Sequence, residues 1–118
     1  MTYNLFLRPI FVKNKASDYK KERLKDFKHE LLRFDIICTQ ETFMGLTEYK
    51  GKLLKYGLEG GLVHTACSKT PGLFTRSFID NGLMIFSRYP IVEQDEITYS
   101  NYLLIDIMAK KGVLFVKI

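Results

Sequence analysis

The chain has 118 residues, 47% hydrophobic and 26% charged, with nine Phe and seven Tyr, the make-up of one ordinary globular domain and not of a disordered segment. Its longest apolar runs, Gly82–Phe86 and Val113–Val116, fall far short of the ~20 residues of a membrane-spanning helix. Two cysteines, Cys38 and Cys67, are too few for a disulfide framework. The formal net charge of +5 lies wholly within residues 1–33. That basic front suits phosphate, nucleic acid or an anionic membrane, or is simply the solvated face of a lysine-rich helix.

Tyr3–Leu7 is a short apolar run closed by Arg8-Pro9 and reads as a buried strand. Asn4 interrupts it, and a buried amide without partners costs roughly 1–3 kcal/mol, so a fixed partner is expected. Ser17–Arg33 reads as a helix: Leu24, Phe27, Leu31 and Phe34 follow a 3, 4, 3 spacing among charged residues. Ser17 or Asp18 would cap its start. Asp35–Glu41 follows directly and reads as a second strand with a polar end, Thr39-Gln40-Glu41. Strand, helix and strand joined so closely predict a parallel pair with a right-handed crossover. Chemistry in such sheets gathers beyond the carboxyl ends of the strands, where Glu41 falls.

Leu46, Tyr49, Leu53 and Tyr56 repeat the helical spacing, so a second helix is expected up to Gly60-Gly61, with Gly51 and Gly57 each costing about 1 kcal/mol relative to Ala. Leu62–Cys67 reads as a third strand and Ser68–Ile79 as a loop. Gly82–Ser87, Ile91–Val92 and Glu96–Tyr99 read as short strands, Lys110-Lys111-Gly112 as a turn and Val113–Ile118 as a last strand. Asp80-Asn81-Gly82 is turn chemistry, and Asn-Gly is a hairpin signal. The loop Ser68–Ile79 carries Leu73 and Phe74 beside Lys69 and Arg76; it either covers a core edge or docks on an anionic lipid surface. No leader precedes the first strand, which is compatible with a cytoplasmic protein or a processed chain.

Four side chains are candidates for chemistry. Glu41 at a strand end suits a hard cation such as Mg²⁺, which takes one or two protein carboxylates and keeps several waters. Asn4, on what should be the neighbouring strand, can orient that carboxylate or join the ligand shell through water. Asp80 is a turn former or a site acid. Arg88 offers a planar donor fork to a phosphate, or a surface salt bridge. His29 and His64 have no partners at metal-ligand spacing, and Cys38, inside an apolar run, reads as a buried thiol.

Together, Thr2-Tyr3-Asn4-Leu5, Phe34-Asp35-Ile36-Ile37-Cys38-Thr39-Gln40-Glu41-Thr42-Phe43 and Asp80-Asn81-Gly82-Leu83-Met84-Ile85-Phe86-Ser87-Arg88-Tyr89-Pro90 resemble the opening motifs of the endonuclease/exonuclease/phosphatase superfamily. Asn4-Leu5-Phe6-Leu7-Arg8-Pro9 and Lys111-Gly112-Val113-Leu114-Phe115-Val116-Lys117-Ile118 resemble its sphingomyelinase-like branch. The resemblance implies an α/β (α+β) fold, part of a four-layer α/β/β/α sandwich of the deoxyribonuclease I-like type. Residues 1–118 then form the N-terminal portion of that single domain. It also implies Mg²⁺-dependent (or Mn²⁺-dependent) phosphodiester hydrolysis. Glu41 matches the metal-binding glutamate and Asn4 the asparagine that organises the metal site. Arg88 matches a position near the substrate phosphate. Asp80 matches an acid preceding Gly-Gly, with Asn81 in place of the first glycine. The later histidine, Asp-x-Asn and Asp-His of the family are absent from the chain, so the fragment alone is expected to be inactive. The implied partner is a phospholipid at a membrane surface; a nuclease acting on nucleic acid and a non-catalytic binding protein are the alternatives, and no obligate protein partner is evident. With most of the second sheet missing, apolar residues of the strands at Leu5, Ile37, Leu83, Ile85 and Leu114 or their neighbours are expected to lie exposed.

Overall fold

A computed structural model describes residues 1–8, 19–43, 49–69, 79–99 and 111–118. Its elements are β1 (Thr2–Leu7), α1 (Lys20–Leu31), β2 (Ile36–Thr42), α2 (Tyr49–Glu59), β3 (His64–Cys67), β4 (Met84–Ser87), β5 (Glu93–Thr98) and β6 (Gly112–Lys117). One mixed sheet has the order β1-β2-β4-β3 and a second sheet consists of β5 and β6. β1 and β2 are parallel neighbours, with Asn4 opposite Gln40, as the strand–helix–strand spacing predicts. β4 runs antiparallel to both β2 and β3.

The core lies between the four-stranded sheet and the two helices. Leu24, Phe27 and Leu31, the predicted stripe of α1, are buried against Leu5, Leu7, Ile37, Leu53, Leu62, Met84 and Phe86. Each such side chain removed from water contributes about 1.5–3 kcal/mol. Tyr3 stacks on Phe27 with ring centroids 5.3 Å apart, which assigns Tyr3, Thr39 and Met84, neighbours in register, to the helix side. The opposite face carries Thr2, Asn4, Cys38, Gln40, Ile85 and Ala66. Cys38 is only half-buried there, lining a cleft of about 230 Å³ between Leu83 and Ile85 of one sheet and Val113 and Leu114 of the other.

Several expectations shift. Leu5 and Ile37 are buried at 2% and 0% exposure because they face the helices, and Ile85 is 8% exposed; exposed apolar residues on the described strands include Tyr3 of the first sheet and Ile97 and Phe115 of the second. The expected strand at Ile91–Val92 does not form, and the one expected at Glu96–Tyr99 runs from Glu93 to Thr98. Its polar start, Glu93–Asp95, escaped an apolar pattern, since backbone pairing with β6, not burial, defines it. Asn81-Gly82 does not close a two-residue hairpin, because β3 and β4 pair across a much longer connection. The turn chemistry is nonetheless used: Gly82 has φ +63°, and Asp80 Oδ1 accepts the Gly82 N–H at 2.8 Å. The predicted caps Ser17 and Asp18, Leu46, Lys110 and the loop residues Leu73, Phe74 and Arg76 lie outside the described residues.

The two glycines of α2 separate cleanly. A Cβ on Gly57 would stand 2.9 Å from the Phe86 ring, whereas one on Gly51 would meet nothing within 4 Å. Gly57 therefore lets the helix lie flat on the sheet. Chemical denaturation should show Gly51→Ala stabilised by about 0.5–1 kcal/mol and Gly57→Ala destabilised by about 1–3 kcal/mol from overpacking. Equal effects at the two positions would contradict this packing.

Candidate active site

The carboxyl ends of β1 and β2 carry matching departures from strand geometry. Phe6 has φ +53° and Glu41 φ +52°, the left-handed region that non-glycine residues seldom occupy. The pairing register slips between Asn4 and Leu7, so β1 carries a bulge, a feature enriched beside active sites because it re-aims side chains. In β2 the consequence is direct. Simple alternation would send Glu41 to the helix side with Ile37 and Thr39. The left-handed residue changes the parity, and Thr42 takes that side instead, buried at 1% exposure with its Oγ1 donating to Thr39 Oγ1 at 3.0 Å. Glu41 is turned to Asn4, which shares the opposite face with Gln40.

Asn4 Nδ2 donates to Glu41 Oε1 at 2.9 Å. Asn4 Oδ1 accepts the Phe6 N–H, also at 2.9 Å. The amide thus has a fixed partner, although Asn4 is exposed and not buried as its apolar run suggested, and it ties the bulge to the carboxylate. The second oxygen, Glu41 Oε2, is buried and accepts no hydrogen bond among the described residues; the Arg8 Nε stands 3.6 Å from it, at ion-pair and not hydrogen-bond distance. The Arg8 guanidinium in turn lies 3.6 Å above the centre of the Phe6 ring, within cation–π range.

A buried carboxylate oxygen with unused lone pairs is the donor a hard divalent cation takes. Glu41 fits as a single protein carboxylate for Mg²⁺, and Asn4 fits as the residue that aims it. Among the described residues no group of three or more His, Cys, Asp or Glu could hold a metal.

The other two candidates do not converge with this pair in the same way. Asp80 is fully buried and bound to its own turn, although that turn packs on the end of β2, where the Thr42 N–H donates to the Gly82 carbonyl at 2.8 Å. Arg88 is at the other end of the sheet. Its Nε is 3.3 Å from Asp35 Oδ1, and its Nη2 donates to the Leu32 carbonyl at the end of α1 at 3.3 Å. Arg88 follows β4, which pairs Ser87 with Ile36, so at about 3.3 Å per residue the run from Ile36 to Glu41 separates them by roughly 16 Å. The expected phosphate ligand is a salt bridge that closes the α1–β2 turn. His64 pairs with the same Ser87 and shares that remote end, and His29 is exposed on α1. Asn81 has a role no sequence signal indicated: its Nδ2 donates to Glu96 Oε1 at 2.7 Å, while Glu96 Oε2 accepts the Lys69 N–H at 2.9 Å, tying the two sheets together.

The basic front is also largely engaged. Arg33 pairs with Glu30 at 2.9 Å and Lys28 with Glu59 at 2.8 Å. The Glu59 carboxylate holds the Lys28 ammonium above its usual range and is itself held below the usual carboxylate range by that hydrogen bond. Burial pushes the Cys67 thiol up, which leaves it a weak nucleophile.

The chain belongs to the endonuclease/exonuclease/phosphatase family, whose description matches residues 1–116. It is 33% identical over 106 residues to a sphingomyelinase of Dictyostelium discoideum, covering 89% of this chain and 23% of that protein. To human sphingomyelin phosphodiesterase 3 it is 30% identical over 121 aligned positions, covering 97% and 18%. A crystal structure of the beta toxin from Staphylococcus aureus superposes with a TM-score of 0.73 at 17% identity, over 98% of this chain and 43% of that one. The fold is accordingly part of the deoxyribonuclease I-like sandwich, and the chain spans less than a quarter of the length of the two curated relatives.

Proposed function

We propose that this chain supplies the metal-carboxylate half of the active site of a divalent-metal-dependent phosphodiesterase acting on sphingomyelin-type lipids. The observation that carries the reading is Glu41, its Oε1 fixed by Asn4 and its Oε2 buried without a hydrogen-bond donor among the described residues, at the carboxyl ends of two parallel strands. When bound, the cation would neutralise the phosphodiester and the leaving oxygen and lower the pKa of a nearby water. Glu41 anchors it, Asn4 holds the carboxylate in one rotamer, and Arg8 balances the carboxylate charge from 3.6 Å. A general base comes from outside the described residues. The sphingomyelinase likeness of two relatives supports a phosphosphingolipid substrate. The engagement of Arg8, Arg23, Lys28 and Arg33 in internal contacts weakens the case for a nucleic-acid surface on the basic front.

The test uses the full-length protein. Phosphocholine release from sphingomyelin vesicles should require Mg²⁺ or Mn²⁺, stop on chelation and resume on adding the cation back. Nicking of duplex DNA without sphingomyelin turnover would transfer the assignment to a nuclease. Absence of both would make the protein non-catalytic.

A further inference from the structure

The bulge in β1 needs something to hold it. A left-handed residue within a strand turns neighbouring carbonyls out of the ladder, and each then requires another donor. α1 provides both donors from one side chain. Arg23 Nη1 donates to the Leu5 carbonyl at 2.7 Å and Nη2 to the Phe6 carbonyl at 3.3 Å; its guanidinium also lies 5.7 Å from the centre of the Phe6 ring. A planar guanidinium fork presents two N–H groups to the two consecutive carbonyls in a fixed geometry, whereas a lysine ammonium is a compact point charge on a flexible stem. Arg23 is half-buried, whereas Lys21 and Lys25 on the same helix are exposed.

The contacts form one continuous path. Arg23 clamps the carbonyls of Leu5 and Phe6. The Phe6 N–H then meets Asn4 Oδ1, and Asn4 Nδ2 meets Glu41 Oε1. We propose that Arg23 is a positioning residue of the metal site: it fixes the β1 bulge and, through Asn4, the direction in which the Glu41 carboxylate points. This rests on reading Glu41 as the metal carboxylate. Among the described residues Arg23 does not contact the Glu41 carboxylate, so it acts on cation affinity through Asn4.

The test reads Mn²⁺ binding to the full-length protein by calorimetry, without substrate. Loss of a group that orients a ligand typically weakens binding about 10–100-fold. Arg23→Gln and Asn4→Ala should each lower Mn²⁺ affinity by about 10-fold, and the double variant by no more than about 10-fold, because both act on one path. Lys21→Gln should bind as wild type. If the double variant loses about 100-fold, the effects are independent and the proposal is wrong. It is equally wrong if Arg23→Gln lowers the melting temperature yet binds Mn²⁺ normally while folded, since Arg23 is then only a clamp on the fold. If Arg23→Gln does not fold, Arg23→Lys, which keeps the charge but not the rigid two-pronged fork, is carried through the same cycle against the same criteria. Glu41→Gln separates the two levels. Normal Mn²⁺ binding in that variant overturns the metal reading itself. Lost binding there, with normal binding in Arg23→Gln, overturns the role of Arg23 alone.

Discussion

In the full-length protein, Glu41→Gln should abolish most metal-dependent turnover while the fold survives. The substituted amide is nearly isosteric, and its Oε1 can still accept from Asn4 Nδ2. The negative charge is lost, and with it both the Arg8 pairing and the anionic donor at Oε2. Loss of an outer partner alone costs about 10–100-fold in metal affinity or activity, so loss of the carboxylate should exceed that, on the order of 10²–10³-fold in kcat/KM at sub-saturating Mg²⁺. The half-buried Arg8–Glu41 ion pair, at 3.6 Å, is long and partly open to water and contributes little to stability, about 0–1 kcal/mol, so the melting temperature should hardly move. Wild-type turnover with unchanged Mg²⁺ dependence would remove Glu41 from the site.

The backbone at Glu41 sharpens the argument. A glutamate at φ +52° carries local strain of order 1–3 kcal/mol, which persists only where the surroundings impose it. Glycine adopts that conformation without the penalty but loses more chain entropy, roughly 0.5–1 kcal/mol. Glu41→Gly is therefore expected to be no less stable than wild type although it deletes the carboxylate. A position where the inactive variant folds as well as the active one is under strain for function and not for stability.

How far the sequence revealed this site depends on which link is considered. The β1-α1-β2 unit was readable because two apolar runs flank a 3, 4, 3 stripe, and adjacency of the parallel strands put Asn4 near Glu41. The carboxylate's direction was not readable. It depends on left-handed residues at Phe6 and Glu41, and neither residue type announces that conformation as Gly82 does. Arg88 was misplaced for a topological reason: β4 runs antiparallel to β2, so a residue following β4 lies at the start of β2 and not at its end. Arg23 was absorbed into a lysine-rich face. Two clues stood in the sequence: it is the one arginine among Lys20, Lys21, Lys25 and Lys28, and it lies four residues before Phe27, on the flank of the buried stripe. The first half of β5, Glu93-Gln94-Asp95, escaped notice because it carries no apolar residue on either face.

The purified 118-residue chain should show no metal-dependent hydrolysis of sphingomyelin or DNA above the metal-only background. Hydrolysis at phosphorus needs a group that takes the proton of the attacking water, within about 2.6–3.2 Å of it or through one further water. Among the described residues no such group approaches Glu41. His64 sits at the opposite end of the sheet, level with Ser87 and Ile36; His29 is on the outer face of α1; and Asp80 is fully buried with one oxygen on the Gly82 N–H. Arg8, which faces Glu41 Oε2, carries a guanidinium with donors and no acceptor. A positioned base contributes typically 10²–10⁴-fold. A lone bound cation therefore leaves the chain at least that far below the full-length protein. The comparison is turnover per mole, chain against full-length protein, at matched Mg²⁺ and across pH 6–9. A rate within 10-fold of the full-length protein would mean that the base lies within residues 1–118. Mutating His29 and His64 in turn would then identify it, or place it in the segments between the described ones.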